Sequence, residues 1–314
     1  MSLLNVLLIG LGNMGKIHKR VIENNDETNL FGIVDTSFKK NHETIDGVEY
    51  FNELQLVNLD DGLIDAVVIS STTSTHYKIA EKFLEKKIPV LLEKPISTEK
   101  NEIEKLLNLA LDQDTIFRCG LIEIYNPIFN YINELNLNDI ISMHIYRHSQ
   151  PASAQRELDN VLFDLTLHDI SVLGYLFKNP NMKPVGQNFN LVKGSIESVD
   201  LLYSLKGINV FISTSRESQI KIRKWDILTK NKLYKIDLMQ KTIDVYESGS
   251  INYTHTNLLD SKVNHSALSF SNHTETAKIQ LNEFIKNIQN NILDKNHLEL
   301  VKYSHNEIIN LNNL

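Results

Sequence analysis

Two spacings of apolar residues alternate along the first third of the chain. Short runs that are apolar at nearly every position lie at Val6–Ile9, Leu30–Val34, Ala66–Ser70, Val90–Leu92 and Thr115–Cys119. Between them, apolar residues recur at helical spacing in Met14–Glu23, His76–Glu85 and Lys100–Leu111. Strands that are apolar on both faces are typical of a parallel sheet covered by helices. This part of the chain therefore predicts a doubly wound α/β domain.

The pattern changes after about residue 120, where strands of alternating polarity predominate. They are expected at Ile140–His148, Glu197–Leu205, Val210–Ser215, Trp225–Thr229, Lys232–Asp237 and Thr242–Tyr246. Helical spacing returns in Asn160–Phe177, Thr274–Ile292 and Leu300–Leu314. Alternation predicts an antiparallel meander with one packed and one open face. We therefore expect two domains, residues 1–120 and an α+β domain of residues 121–314 with a large, mostly antiparallel open sheet, whose last helix can pack back on the first domain.

Composition and charge narrow the class of protein. The chain has 314 residues, of which 42% are hydrophobic and 23% charged, and Lys+Arg 32 against Asp+Glu 39 gives a net charge of −7. An acidic chain without a basic block is a poor candidate for binding nucleic acid or anionic membranes. The single cysteine, Cys119, excludes an intrachain disulfide and a cysteine-cluster metal site, and it fits a cytoplasmic protein. No metal site is expected, and the apolar start has neither the basic flank nor the cleavage site of a signal peptide.

A glycine-rich turn follows the first predicted strand and opens a helix. Gly10 permits the tight turn, Gly12 lets the backbone approach a pyrophosphate, and Gly15 lets the helix pack closely on the sheet. The phosphates of a dinucleotide would then meet free N–H groups at a helix N-terminus. The turn predicts a Rossmann-type site whose cofactor-binding residues include Gly10, Gly12, Asn13, Met14 and Gly15.

Asp35 closes the second predicted strand, twenty residues beyond Gly15. A carboxylate there accepts hydrogen bonds from the adenosine ribose and repels a 2′-phosphate, which favours NAD over NADP. Lys39 and Lys40 lie close enough in the sequence to keep NADP open as an alternative.

Two further patterns are consistent with proton transfer. Lys94 follows the buried run Val90–Leu92, at a strand end that faces the expected cofactor cleft. Asp164 and His168 are four residues apart on an apolar helix, so they share a face, and a carboxylate raises the basicity of an imidazole. Each pattern alone also fits a structural role, as a solvated strand-end charge for Lys94 or as a histidine held by a nearby acid.

Together these residues resemble the glucose-fructose oxidoreductase, inositol dehydrogenase and rhizopine-catabolism (Gfo/Idh/MocA) family. Its elements occur in order as Gly10–His18, Thr72–His76, Glu93-Lys94-Pro95 and Asp164 with His168. The resemblance implies that Lys94 and His168 form the acid–base pair with Asp164 assisting, and that the Lys94-Pro95 peptide is cis. It also implies a dimer or tetramer joined through sheet faces. Further cofactor contacts are expected from Ser71, Thr72, His76, Glu93 and Lys94.

A narrower resemblance concerns the stretch Gly120–Pro127 and the run around His168. Both are similar to segments of a subgroup that oxidises C3 of UDP-N-acetylhexosamines, which makes Glu123, Tyr125 and Asn126 candidate substrate contacts. The subgroup has histidine where this chain has Leu121, and arginine and phenylalanine at positions 124 and 125. Arg147 and Arg156 are therefore candidates for holding a diphosphate, with a surface position as the equal alternative.

The sequence thus predicts an NAD-dependent dehydrogenase that converts a sugar hydroxyl to a ketone, at C3 of a UDP-N-acetylhexosamine or its uronic acid. An aminotransferase is a candidate consumer of the keto-sugar. Two alternatives stay open: a dehydrogenase of a free polyol or inositol, and a non-catalytic sensor or co-regulator that binds NAD(P).

Overall fold

The structure, a computed structural model, describes residues 3–151, 159–253, 258–270 and 275–313. The chain forms two compact units, one of Met1–Tyr125 with Glu275–Leu314 and one of Asn126–Thr274. The sequence places the first boundary near residue 120 and expects the last helix to return to the first domain, and in the structure residues 275–314, with two helices, belong to the first unit. Each unit is built on its own sheet.

The first unit contains a seven-stranded sheet with the order β3-β4-β2-β1-β5-β6-β7. Its strands are β1 (Leu4–Ile9), β2 (Thr28–Val34), β3 (His42–Ile45), β4 (Val48–Phe51), β5 (Ala66–Ile69), β6 (Val90–Leu92) and β7 (Phe117–Cys119). Neighbouring strands are parallel except β3 and β4, which form an antiparallel hairpin. The doubly wound parallel sheet is confirmed, and the edge hairpin is an addition that the sequence pattern did not predict.

The helices are numbered in chain order through both units. They are α1 (Asn13–Glu23), α2 (Thr73–Glu85), α3 (Lys100–Asp112), α4 (Pro127–Asn133), α5 (Leu167–Phe177), α6 (Thr276–Asn290) and α7 (Lys295–Asn312). Within the described ranges, none is both long and apolar enough to cross a membrane.

Helix α6 completes the core of the first unit. Its apolar side chains Ala277, Leu281, Phe284 and Ile285 are each 1% exposed and lie in one cluster with buried residues of β1, β2, β5 and β6. Burial of four apolar side chains stabilises this packing by several kcal/mol, at about 1.5–3 kcal/mol for each large one. The return of α6 therefore follows from the apolar stripe that the sequence shows.

The second unit contains an eight-stranded sheet with the order β15-β14-β13-β12-β8-β11-β10-β9. Its strands are β8 (Ile140–His148), β9 (Met182–Val192), β10 (Ser195–Leu205), β11 (Ile208–Ser215), β12 (Ile222–Thr229), β13 (Lys232–Asp237), β14 (Thr242–Tyr253) and β15 (Leu258–Ser269). The mostly antiparallel open sheet is confirmed. The simple meander is wrong, because β8 lies between β11 and β12 and pairs with β11 in parallel.

Candidate active site

The glycine turn has the geometry that a phosphate cradle requires. Gly10 has a φ of +89°, and a Cβ there would lie 2.6 Å from the backbone nitrogen of Ser71. A Cβ on Gly15 would lie 2.0 Å from the Gly10 carbonyl oxygen, so the helix start and the strand end are in direct contact. At Gly12, by contrast, a Cβ would meet no heavy atom within 4 Å, and α1 starts there without a side-chain cap or an acidic first turn. The free N–H groups of α1 can therefore bind an anion.

Asp35 links the end of β2 to this turn. Its Oδ2 accepts a hydrogen bond of 2.6 Å from the Leu11 N–H, and its Oδ1 accepts one of 2.9 Å from the Ser37 N–H. Partial burial alone would raise the pKa of Asp35, but the hydrogen bonds from Ser37 and Leu11 outweigh it and lower the pKa. The carboxylate is therefore ionised and partly exposed beside the glycine turn, as binding of ribose hydroxyls requires.

We expect Gly12→Ala to weaken binding of NADH about tenfold, because the added methyl group displaces the pyrophosphate and weakens its charged hydrogen bonds. The fold should tolerate the change, since no heavy atom lies within 4 Å of the new Cβ. Fluorescence titration with NADH and a thermal melt measure the two effects. Gly186→Ala on β9, where the Cβ also meets nothing, is the matched control. Unchanged NADH affinity in Gly12→Ala would argue against phosphate binding at this turn.

Lys94 follows β6 at the same sheet edge as the glycine turn, because β1, β5 and β6 are parallel neighbours. Its side chain is half-buried, and the Lys94-Pro95 peptide is cis, as the resemblance implies. The preceding Glu93 is buried, with Oε1 2.8 Å from Nε2 of His18 on α1. Gly120 passes so close that a Cβ there would lie 2.8 Å from Glu93 Oε2. The Glu93 carboxylate is therefore confined by contacts on several sides.

The side chains after β5 mainly make hydrogen bonds that fix the local backbone. Ser71 Oγ is 2.8 Å from Thr75 Oγ1, and Thr72 is the exposed N-cap of α2. His76 is 1% exposed, with Nδ1 2.7 Å from the Pro95 carbonyl oxygen and Nε2 3.1 Å from the Ser71 carbonyl oxygen. Both nitrogens of His76 thus contact backbone oxygens, and Ser71 and Thr72 lie at the sheet edge that carries the glycine turn. Their contact with a cofactor stays a prediction.

Asp164 and His168 belong to the second unit, where a π-helical turn, Leu162–Thr166, leads into α5. Such turns occur often at functional sites. The Asp164 Oδ2 accepts a 3.3 Å hydrogen bond from Arg216, which is 4% exposed and also donates two 2.8 Å bonds to Glu197. His168, the second residue of α5, is 8% exposed. The sequence did not predict Arg216, whose position just after β11 carries no motif.

Arg147 is neither a surface residue nor open to a diphosphate. It is 1% exposed, and its Nε and Nη2 donate hydrogen bonds of 2.6 and 2.9 Å to the two carboxylate oxygens of Asp169. The Trp225 indole N–H donates to the same carboxylate at 3.1 Å. This buried ion pair attaches α5 to the sheet, so Asp169 has a structural role. Arg156 lies outside the described residues.

The candidates from the Gly120–Pro127 stretch have structural partners. The Tyr125 hydroxyl accepts a 2.6 Å hydrogen bond from Arg118, and burial raises the pKa of Tyr125 to about 12 despite that guanidinium. The Asn126 side chain caps α4 through a 3.2 Å bond from the Ile128 N–H. Glu123 is buried in a 3₁₀ turn. Their contact with a substrate stays a prediction.

Sequence reasoning also missed two buried histidines of α7. His297 Nε2 accepts a 3.0 Å hydrogen bond from the Cys119 N–H, and His305 Nε2 accepts one of 3.1 Å from the Ile96 N–H. The available signal was their position: eight residues apart, on the same stripe as Leu298, Val301 and Ile308. A polar side chain on a buried stripe needs a partner.

We expect these histidines to make the protein less stable in acid. Burial, followed by Arg118, lowers the pKa of His297 to about 3, and burial lowers that of His305 to about 4. An unfolded histidine has a pKa near 6.5. Between about pH 6.5 and 4 the unfolded chain therefore binds more protons than the folded one. As the pH is lowered through this range, the free energy of unfolding decreases by up to about 1.4 kcal/mol per pH unit for each histidine.

Urea titrations between pH 7.5 and 5 measure this dependence. The difference between wild type and His305→Gln isolates one histidine from the carboxylates, and the destabilisation by His305→Gln should shrink as the pH falls. A difference that stays constant from pH 7.5 to 5 would contradict the lowered pKa of His305.

Comparison with known proteins finds a family match within the first unit and relatives for larger parts of the chain. Residues 4–121 match the model of the GFO_IDH_MocA family, described as an oxidoreductase family with an NAD-binding Rossmann fold. The UDP-N-acetylglucosamine 3-dehydrogenase of Acidithiobacillus ferrooxidans is 22% identical over 252 residues, which is 77% of each chain. The myo-inositol 2-dehydrogenase of Thermotoga maritima is 27% identical over 180 residues, 54% of this chain and 53% of that one.

Solved structures share the fold over nearly the whole chain. The same Acidithiobacillus enzyme superposes with a TM-score of 0.79 at 18% identity, covering 99% of this chain and 96% of that one. A 3-ketoreductase from Actinomadura kijaniata, in complex with TDP-benzene and NADP, gives a TM-score of 0.79 at 13% identity, covering 98% and 96%. At these identities the likeness establishes the architecture of both units.

Proposed function

We propose, because residues 4–121 match the Gfo/Idh/MocA family of NAD-binding oxidoreductases, that the protein is an NAD-dependent dehydrogenase of a sugar hydroxyl. The observation that carries the proposal is the position of Lys94. Lys94, a half-buried residue, follows β6 at the sheet edge that also carries the glycine turn. Ligands of doubly wound sheets bind at this edge.

The residues at that edge fit NAD. The open space beside Gly12 and the uncapped start of α1 suit the pyrophosphate. The ionised Asp35 suits the ribose hydroxyls and repels a 2′-phosphate. When bound, the nicotinamide ring supplies the hydride acceptor. NAD is therefore our preferred cofactor, and NADP the less favoured one.

The proton chemistry is assigned to Lys94 and His168. In the proposed reaction the His168 imidazole takes the proton of the substrate hydroxyl, while the carbon that carries this hydroxyl loses a hydride to the acceptor. The Lys94 ammonium donates a hydrogen bond to that oxygen and stabilises the charge that develops on it. Asp164, whose carboxylate the Arg216 guanidinium holds at 3.3 Å, favours the protonated imidazole.

A nucleotide sugar is the substrate that we favour, with oxidation at C3 of a UDP-N-acetylhexosamine or its uronic acid. The support is the similarity to the Acidithiobacillus UDP-N-acetylglucosamine 3-dehydrogenase over three quarters of both chains. A free inositol or polyol is the second candidate, supported by the similarity to inositol dehydrogenases. We further propose a cytoplasmic homodimer or homotetramer, and an aminotransferase as consumer of the keto-sugar.

The decisive experiment offers the purified protein NAD together with one candidate substrate at a time. UDP-N-acetylglucosamine should reduce NAD, and UDP alone should raise the melting temperature in the presence of NADH. Reduction of NAD only with myo-inositol, without any effect of UDP on the melting temperature, would favour the hypothesis of an inositol dehydrogenase. NADH that binds but never changes redox state with any substrate would contradict the proposed dehydrogenase and favour a sensor.

A further inference from the structure

Two buried histidines from different helices hold the peptide group that follows Lys94 by one residue. The Pro95 carbonyl oxygen lies 2.7 Å from Nδ1 of His76 on α2. The N–H of the same peptide, which belongs to Ile96, donates a 3.1 Å hydrogen bond to Nε2 of His305 on α7. His76 is 1% exposed and His305 is fully buried. Both polar groups of one peptide are thus fixed by side chains that are remote from it in the sequence.

The second nitrogen of His305 fixes the orientation of the ring. Nδ1 lies 2.8 Å from the carbonyl oxygen of Val301, one turn earlier in α7, and donates to it in the tautomer that leaves Nε2 as the acceptor. Burial, with a smaller effect of Lys94, lowers the pKa of His305, so the ring is neutral at physiological pH. The acceptor for the Ile96 N–H is therefore present in the folded first unit at physiological pH.

We propose that His305 is a positioning residue of the dehydrogenase, which together with His76 fixes the backbone after Lys94 and so determines where the Lys94 ammonium lies. This inference rests on the proposed function. Lysine has a long flexible stem, so its ammonium is placed accurately only when its backbone is held. A displacement of about 1 Å at a reacting group can lower the rate about 100-fold. The helix that follows the second unit in the sequence would thus be part of the catalytic apparatus of the first.

Glutamine and asparagine separate the two nitrogens of each ring. A glutamine amide lies about where Nε2 of histidine lies, and an asparagine amide about where Nδ1 lies. His305→Gln therefore keeps an acceptor for the Ile96 N–H, whereas His305→Asn keeps only the bond to Val301. We expect kcat to fall about 10- to 100-fold in His305→Asn, with KM changed less than about threefold, and to recover most of its value in His305→Gln.

The order should reverse at position 76, because there Nδ1 contacts the Pro95 carbonyl oxygen. His76→Asn keeps a donor for that oxygen, and His76→Gln does not. We expect the asparagine variant to be the more active of the two. This pair carries the test if His305→Asn does not fold.

His297 supplies a matched control on the same helix. It is also buried and also accepts a backbone N–H at Nε2, but the N–H belongs to Cys119. His297→Asn should lower the melting temperature about as much as His305→Asn and leave kcat within about threefold of wild type. Amide hydrogen exchange provides a readout without turnover: Ile96 should lose protection in His305→Asn and keep it in His297→Asn.

The outcomes separate this inference from the proposed function. If wild type reduces NAD but His305→Asn and His297→Asn lower kcat equally, with glutamine no better than asparagine, His305 is merely structural. If wild type fails to reduce NAD with every candidate substrate, the proposed function fails. Amide hydrogen exchange at Ile96 then still tests the hydrogen bond to His305.

Discussion

Lys94→Ala is expected to lower kcat about 1000-fold with the substrate that wild type oxidises, because the developing charge on the substrate oxygen loses its cationic hydrogen-bond donor. NADH affinity should fall far less than kcat, since Lys94 is one cofactor contact among many and the glycine turn and Asp35 are intact in this variant. The thermal melt should be close to that of wild type, because the Lys94 side chain is only half-buried. Steady-state kinetics, an NADH titration and a melt measure the three quantities.

Lys94→Arg and Lys100→Ala make this result specific. Arginine keeps the charge but has a larger, planar head group, so we expect it to recover only part of kcat. Lys100 starts α3, is exposed and forms a 3.8 Å surface pair with Glu104, so its replacement should be silent. A Lys94→Ala variant that retains a tenth or more of wild-type kcat would remove Lys94 from the chemistry.

Asp169→Ala is expected to reduce the free energy of unfolding of the second unit by about 3–5 kcal/mol, because it leaves the Arg147 guanidinium buried without its anion. The Trp225 N–H loses its acceptor in the same variant. Urea denaturation followed by tryptophan fluorescence reports on this unit directly, since Trp225 is the single tryptophan of the chain.

Two further variants test the cause of that loss. Glu247→Gln breaks a cross-strand pair with Lys232, whose side chains are 46% and 38% exposed respectively, and it should cost about 1 kcal/mol or less. The double variant Arg147→Met with Asp169→Leu should be far more stable than Asp169→Ala, because no buried charge is left. A loss as small for Asp169→Ala as for Glu247→Gln would contradict the buried ion pair.

Local pattern was sufficient for many of the buried elements, although the short buried helix α4 was missed. Strand β8 and strand β13 were predicted with their observed bounds, because apolar and polar residues alternate across one packed face. The hairpin of β3 and β4 was missed because few of its side chains are buried, and β9 because it is an exposed edge strand with Pro184 and Gly186. The parallel pairing of β8 with β11 depends on contacts 60 residues apart or more, to which periodicity is blind.

The candidate site divides in the same way. The glycine turn, Asp35 and Lys94 were found because their chemistry is written in adjacent residues with strand and helix context. The partners of Arg147 and Tyr125 were not found. No motif surrounds Asp169 or Arg118, and their contacts with Arg147 and Tyr125 form only in the folded chain. His305 shows the same limit: no motif surrounds it, and its partner Ile96 lies 209 positions earlier.

The return of α6 to the first unit has a consequence for biosynthesis. The ribosome completes residues 1–125 before it has made the four side chains that close their core, and at 5–20 residues per second the wait is roughly ten to thirty seconds. During translation the nascent N-terminal segment thus exposes apolar surface that is covered only after α6 has been synthesised. Prematurely terminated chains should accordingly be substrates for chaperones and proteases, and a nucleotide-binding unit should emerge only once synthesis has passed residue 285.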